Sequence, residues 1–311
     1  MTDGGPGPSR VVELGHGGVI WVLADRPTAG DVSQLAERFE LHPLDVEELV
    51  RRGGRPKLAV RARYSAAVLD FPVQLARPRR TALGQLNLLV GGDFVLAVHG
   101  GDLRPAVRLM DDLRQDAARR DNEMASPGRL AYSIVRGLVE ASEPLVARLG
   151  TAVDGLQEEL LAGVADQPIQ RLSQIRREMT SLGRALRPDV EVLFAMARAP
   201  FTATGDLAAY WELVADALQR QVEQLEGGWN AVETLVESAE SLARERADAR
   251  MRALLLFAGL LLPIVTVGLV YLMAVQAVPS LANEADLDVA IGLMLIAVVA
   301  LVGWLRRRRL V

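Results

Sequence analysis

The side chains able to do chemistry in this 311-residue chain are carboxylates and arginines, because cysteine is absent and histidine occurs only three times. Without a thiol there is no disulfide, no cysteine nucleophile and no cysteine-built zinc site. His16, His42 and His99 stand far apart and lack the spacing of metal ligands, which marks them as structural histidines. The glycine-rich run 15–18 lacks the lysine and the following helix of a phosphate loop. The adjacent carboxylates Glu47-Glu48 and Glu158-Glu159 fall in helical patterns, where neighbours do not face one another. No catalytic constellation emerges, so the sequence reads as a protein that is not an enzyme and needs no cofactor. What remains is electrostatic. Glu284, Asp286 and Asp288 cluster around a short polar turn between two apolar runs, where their charge raises the local concentration of cations. Topology also simply permits an acidic turn there, and both readings stand.

The two apolar runs organise the chain. Residues 253–283 carry no charge, and 287–305 carry only Asp288 near their start. A bilayer core roughly 30 Å thick takes about 20 apolar residues in helix, so each run is long enough to span. Arg250 and Arg252 precede the first run and Arg306 to Arg309 follow the second, while the turn between them is acidic. The bias of basic residues toward the cytoplasm then predicts a multi-pass protein of the cell membrane with both termini inside. The terminal arginines read as a topology signal and a contact for the lipid bilayer. Net charge is −4 and the pI about 5.6, which gives no reason to expect nucleic acid as a partner. Residues 1–9 are rich in Gly and Pro, lack the apolar core of a signal peptide, and read as a disordered lead-in.

Before the membrane the pattern changes once. Short apolar runs at 19–23, 64–73, 82–90 and 94–99 read as strands, the last two joined by a hairpin turn at Gly91-Gly92-Asp93. Helical spacing at 31–39, 44–50 and 103–120 lies between and after them. From Pro127 onward nothing strand-like appears. One long amphipathic helix runs from Leu130 to Leu160, kinked or divided at Pro144; another runs to Pro188, and a third piece covers 190–199. The last element carries Trp211, Val214, Leu218, Val222, Leu225, Trp229, Val232, Val236, Ala239 and Ala243 in steps of three and four, with no proline before Pro263. Continued to about Val275, such a helix is on the order of 100 Å long. A rod of that length cannot bury its seam in one small domain, which predicts parallel copies and hence a homo-oligomer.

The pieces Leu41-His42-Pro43-Leu44, Arg55-Pro56-Lys57-Leu58 and Phe94-Val95-Leu96-Ala97-Val98-His99 resemble, in order and spacing, the cytoplasmic domain of the CorA family of magnesium and divalent-cation channels. The helical pair around 172–188 and the first apolar run, with Pro263 and Tyr271, extend the resemblance over nearly the full length. It implies a funnel-shaped homopentamer: an α/β cytoplasmic domain followed by long helices and a two-helix C-terminal transmembrane hairpin. On this chain the parts fall at 10–125 for the α/β domain and 126–205 for antiparallel helices. A stalk continuing into the first span covers 206–278, the external turn 279–286, the second span 287–305 and a basic tail 306–311. Passive flux of magnesium, or of cobalt, nickel or zinc, would be gated by cytoplasmic metal.

Carried over residue by residue, the family's Gly-Met-Asn motif after Tyr271 falls on Leu272-Met273-Ala274, so the glycine and the asparagine amide are replaced. Other pore positions fall on Glu237, Asp248, Met251, Leu254, Leu262 and Val265. The family's gating aspartate falls on Leu213, with Glu212 and Asp216 nearby as candidates for a regulatory metal. Five copies of Asp248 would make a carboxylate ring that concentrates divalent cations, and Met251, Leu254 and Leu262 would make apolar rings that gate by dewetting. The alternative for Asp248 and Glu237 is a solvated charge paired along the helix with neighbours such as Arg244 and Arg250. Replacement of the motif leaves a second functional reading open, a non-conducting CorA-like membrane scaffold or metal sensor.

Overall fold

The computed structural model describes residues 9–51, 53–74, 81–162 and 167–277, together with Gly292 and Ile296. Two compact units divide the chain, residues 1–236 and 237–311. In the first, six strands form one sheet: β1 (Arg10–His16), β2 (Val19–Asp25), β3 (Lys57–Val60), β4 (Tyr64–Gln74), β5 (Thr81–Gly91) and β6 (Phe94–His99). Their spatial order is β1-β2-β6-β5-β4-β3. Only β2 and β6 run parallel; every other neighbour is antiparallel. β5 and β6 are joined through Gly92-Asp93, as the turn residues require.

Alternation along the strands sends side chains to two cores. Val22, Ala24, Tyr64, Ala66, Leu89, Phe94, Leu96 and Val98 point to one face and meet helices α1 (Ala29–Phe39) and α2 (Pro43–Arg51). Trp21, Leu23, Ala67, Leu69, Phe71, Leu86, Leu88, Val90, Val95 and Ala97 point to the other. Successive residues of a strand must do this, so a sheet covered on both faces reads as continuous apolar runs. α1 begins at a capping box in which the Thr28 hydroxyl accepts the Asp31 N–H while Asp31 accepts the Thr28 N–H.

The second face is covered by helices. α3 (Arg104–Gln115) and α4 (Ala117–Glu123) are separated at Asp116, whose Oδ1 caps α4 by accepting the Arg119 N–H. The helical spacing over 103–120 is therefore two helices. α5 (Pro127–Leu161) passes through Pro144, which faces solvent. α6 (Pro168–Met196) passes through Pro188, where the sequence suggested a break. An interior proline costs about 3 kcal/mol. Leu186, Val192, Leu193 and Met196 are all buried on the same seam, and each such burial contributes about 1.5–3 kcal/mol, enough to hold the helix together.

The last helix, α7, runs Leu207–Ala277, 71 residues. Trp211, Val214, Leu218, Val222, Leu225 and Val232 are buried. They pack with α5 and α6 of the same chain, so this stretch of the seam is satisfied without a second copy and does not itself argue for an oligomer. Trp211 Nε1 donates to the Thr202 carbonyl at 3.0 Å. Gln221 Nε2 donates to the Val139 carbonyl at 2.9 Å, and its Oε1 lies 2.6 Å from the Ser142 hydroxyl, a polar clasp between α5 and α7.

Candidate metal path

α7 carries every candidate position from Glu212 to Ala274. In its first turns Glu212, Leu213 and Asp216 are exposed, on the side away from Trp211, Val214 and Ala215. Glu212 and Asp216 are one turn apart, and neither makes an ion pair among the described residues. Two carboxylates on one turn are too few ligands to enclose a divalent cation. Among the described residues no group of three or more His, Asp or Glu side chains is placed to hold a metal.

In the second unit, helical rotation of about 100° per residue orders the other candidates. Taking Asp248 as zero, Glu237, Met251, Leu254, Leu262, Val265, Leu272 and Met273 fall within an arc of about 120°, and Tyr271 and Ala274 fall outside it. Residues 271–274 are helical, so Leu272, Met273 and Ala274 cannot all face one axis. Met251, Leu254, Val265, Leu272 and Met273 are all exposed, each by 60% or more. The side chains of Glu237, Asp248, Leu262, Tyr271 and Ala274 are outside the described set, and Glu284, Asp286 and Asp288 lie outside the described residues altogether. Among the described residues no helix is long and apolar enough to cross a membrane. The expected first span falls on the uncharged end of α7, where only part of the side chains are described, and the expected second span lies outside the described residues except for Gly292 and Ile296.

The pieces that looked most distinctive in the sequence are scaffold. Asp45, buried in α2, receives Arg61 Nε at 2.9 Å, Arg61 Nη2 at 2.7 Å and the Tyr64 hydroxyl at 2.6 Å. The Tyr64 oxygen in turn accepts the His42 N–H at 2.8 Å. Burial pushes the Asp45 carboxyl up, but the Arg61 fork and the Tyr64 hydroxyl outweigh it and leave it below its ordinary value. Burial, then the Asp45 carboxylate, pushes Tyr64 up to about 12. Lys57 reaches Glu48 at 2.5 Å, and β6 is buried at every residue. The histidines behave as structural groups: Nδ1 of His42 accepts the Leu44 N–H, Nδ1 of His99 accepts the Gly101 N–H, and Nε2 of His16 lies 2.7 Å from Asp121.

A covered α/β sheet handing its chain to one very long C-terminal helix is the build of CorA-like proteins. The chain belongs to that family: the model of the CorA-like Mg2+ transporter protein matches residues 16–307. The cobalt/magnesium transport protein CorA of Thermotoga maritima is 22% identical over 281 residues, 89% of this chain and 79% of that one. The divalent cation transporter CmaX of Pseudomonas aeruginosa is 24% identical over 248 residues, 78% of this chain and 73% of that one. Among solved structures, the CorA magnesium transporter from Methanocaldococcus jannaschii superposes with a TM-score of 0.75 at 16% identity, covering 93% of this chain and 90% of its own. The full-length CmaX structure does so with a TM-score of 0.73 at 21% identity, covering 94% and 88%. A family of metal-ion transporters of the membrane is not a family of enzymes, and this member is not an enzyme.

Proposed function

We propose that this chain is one subunit of a homo-oligomeric, passive path for divalent cations through the cell membrane, five copies meeting around α7. The observation that carries the reading is the register of α7: Asp248, with Glu237 three turns before it, shares an arc with the apolar Met251, Leu254, Leu262 and Val265, and Ala253–Ala277 is helical without a single charge. Five Asp248 carboxylates at the mouth of such a path concentrate divalent ions, and the small, reluctantly dehydrating magnesium ion crosses such a ring with most of its waters. Met251, Leu254 and Val265, all exposed in the single chain, become the lining. Leu213 in place of a carboxylate leaves Glu212 and Asp216 to bind a regulatory metal together with groups of a neighbouring copy. Both termini and the basic tail lie inside, and the acidic turn with Glu284, Asp286 and Asp288 lies outside.

One observation favours a second reading. Ala274 offers no amide oxygen to a hydrated ion, and Leu272 adds bulk where backbone would approach. A scaffold or sensor would keep the oligomer and conduct nothing. The test is uptake of magnesium and cobalt into lipid vesicles holding the purified protein. The transporter reading expects uptake above that of empty vesicles and a fall of severalfold or more in Asp248→Asn. An intact oligomer whose vesicles match empty ones establishes the scaffold.

A further inference from the structure

Asp189 sits one residue after Pro188 in α6 and is fully buried. Its Oδ1 accepts one hydrogen bond, from the Asp70 N–H at 3.1 Å. Its Oδ2 is buried and has no hydrogen-bond partner among the described residues. The geometry has a clear origin. β3 pairs with β4 only as far as Lys57 opposite Val68, so the Asp70 N–H lies beyond the end of that ladder. Asp189 reaches across from α6 to satisfy the amide that β3 leaves open. Asp70 is itself tied by Gln85 Nε2 at 3.2 Å, and the same nitrogen donates to the Gly54 carbonyl at 2.8 Å.

Among the described residues no cation answers this carboxyl. The charged group bearing on it from β4 is the like-charged Asp70. On β3, Lys57 is held by Glu48 at 2.5 Å. On α5, Arg136 lies 3.8 Å from Glu123 and 3.6 Å from Glu140. On α6 itself, Arg187 turns to Glu226 of α7 at 2.8 Å. An ionised carboxylate buried without a counter-charge is so costly that such a group keeps its proton instead.

We infer that the seam between α6 and β4 is a proton-binding site: Asp189 is held there as the neutral acid, and each opening of the seam releases its proton to water. The strength with which α6 grips the sheet then depends on pH. Burial pushes the Asp189 carboxyl up to about 9, against 3.8 in the open state; the Asp70 N–H pulls the other way, and the Asp70 charge adds a smaller push upward. The folded value is the raised one, so the stabilisation is fully present below about pH 4, is lost progressively as pH rises toward about 9, and is flat beyond. α6 is braced against α7 by Arg187–Glu226, by Arg176–Glu233 at 3.8 Å, and by Met179 beside Gly228. Alkaline conditions therefore free the helix that supports α7. This device does not depend on which ion the protein carries.

Hydrogen exchange of the β4 peptide containing the Asp70 amide, in the full-length protein in detergent at pH 6, 7 and 8, tests it. After correction for intrinsic exchange, protection in the parent falls about tenfold per pH unit relative to Asp189→Asn. Asp70→Asn removes the like charge, so its loss of protection levels off at a lower pH than the parent's. The infrared carbonyl stretch of a protonated carboxylic acid, present in the parent at pH 7, is missing in Asp189→Asn. Parallel pH profiles for parent and Asp189→Asn would overturn the inference. Should that variant fail to fold, an Asp70→Asn profile identical to the parent's would overturn it equally.

Discussion

Gly227-Gly228 lie inside α7 in the turn after Leu225, and the structure separates their roles. A Cβ built on Gly227 meets nothing within 4 Å among the described residues. One built on Gly228 meets Met179 Cε at 2.5 Å and Sδ at 3.3 Å. Glycine in a helix interior is about 0.8–1.0 kcal/mol less favourable than alanine, mostly through the entropy of the unfolded chain. Gly227→Ala should therefore recover most of 1 kcal/mol, which for a protein of this size raises the melting temperature by about 2–4 °C. Gly228→Ala has the same helical gain, reduced by moving a flexible methionine tip, so its rise is smaller. Thermal unfolding of the purified full-length variants, followed by circular dichroism, orders them Gly227→Ala above Gly228→Ala above or equal to the parent. A lower melting temperature for Gly227→Ala would refute the reasoning. A higher one with cation uptake abolished would show that the glycine is a working hinge and not a tolerated weakness.

Asp45→Asn removes the negative partner of Arg61 and Tyr64. Fully buried pairs lose about 3–5 kcal/mol when one member goes, and the part-exposed Arg61 reduces this to about 2 kcal/mol. The folded pKa of Asp45 is the depressed one, so its contribution is present above about pH 4 and lost as pH falls further; acid unfolding curves of the variant lack that component. Trp211→Phe keeps the buried ring but leaves the Thr202 carbonyl without its 3.0 Å donor, a loss of about 1 kcal/mol measured by the same thermal unfolding.

Much of the architecture was legible because periodicity reports burial. Strands β2, β4, β5 and β6 show as apolar runs since both faces of the sheet are covered, and the α7 seam shows as steps of three and four. β1 was not legible: Val11, Val12, Glu13 and Leu14 form an edge strand, largely exposed, so no apolar signal marks it. The run through Pro188 reads as a break because proline weighs against a helix locally, while the neighbours that hold α6 together as one helix come from β4 and α5. Asp189 could not be found from sequence at all. An aspartate after a proline looks like a helix start, and only the end of the β3 ladder reveals why a carboxyl is buried there. The candidate path was legible by resemblance and not by chemistry, since its apolar positions look like ordinary packing until several copies are set around an axis.

That axis is open to a direct measurement, because the chain contains no cysteine and a single introduced thiol has no competitor. Met251, Val265 and Phe257 are exposed to similar degrees, 60%, 60% and 63%, but Phe257 lies about 180° round α7 from Asp248. Oxidation of membranes carrying Met251→Cys or Val265→Cys should give a disulfide-linked dimer band from neighbouring copies, and Phe257→Cys should stay monomeric. Monomers in all three, or the dimer only in Phe257→Cys, would contradict a path built from α7 helices meeting on the Asp248 face.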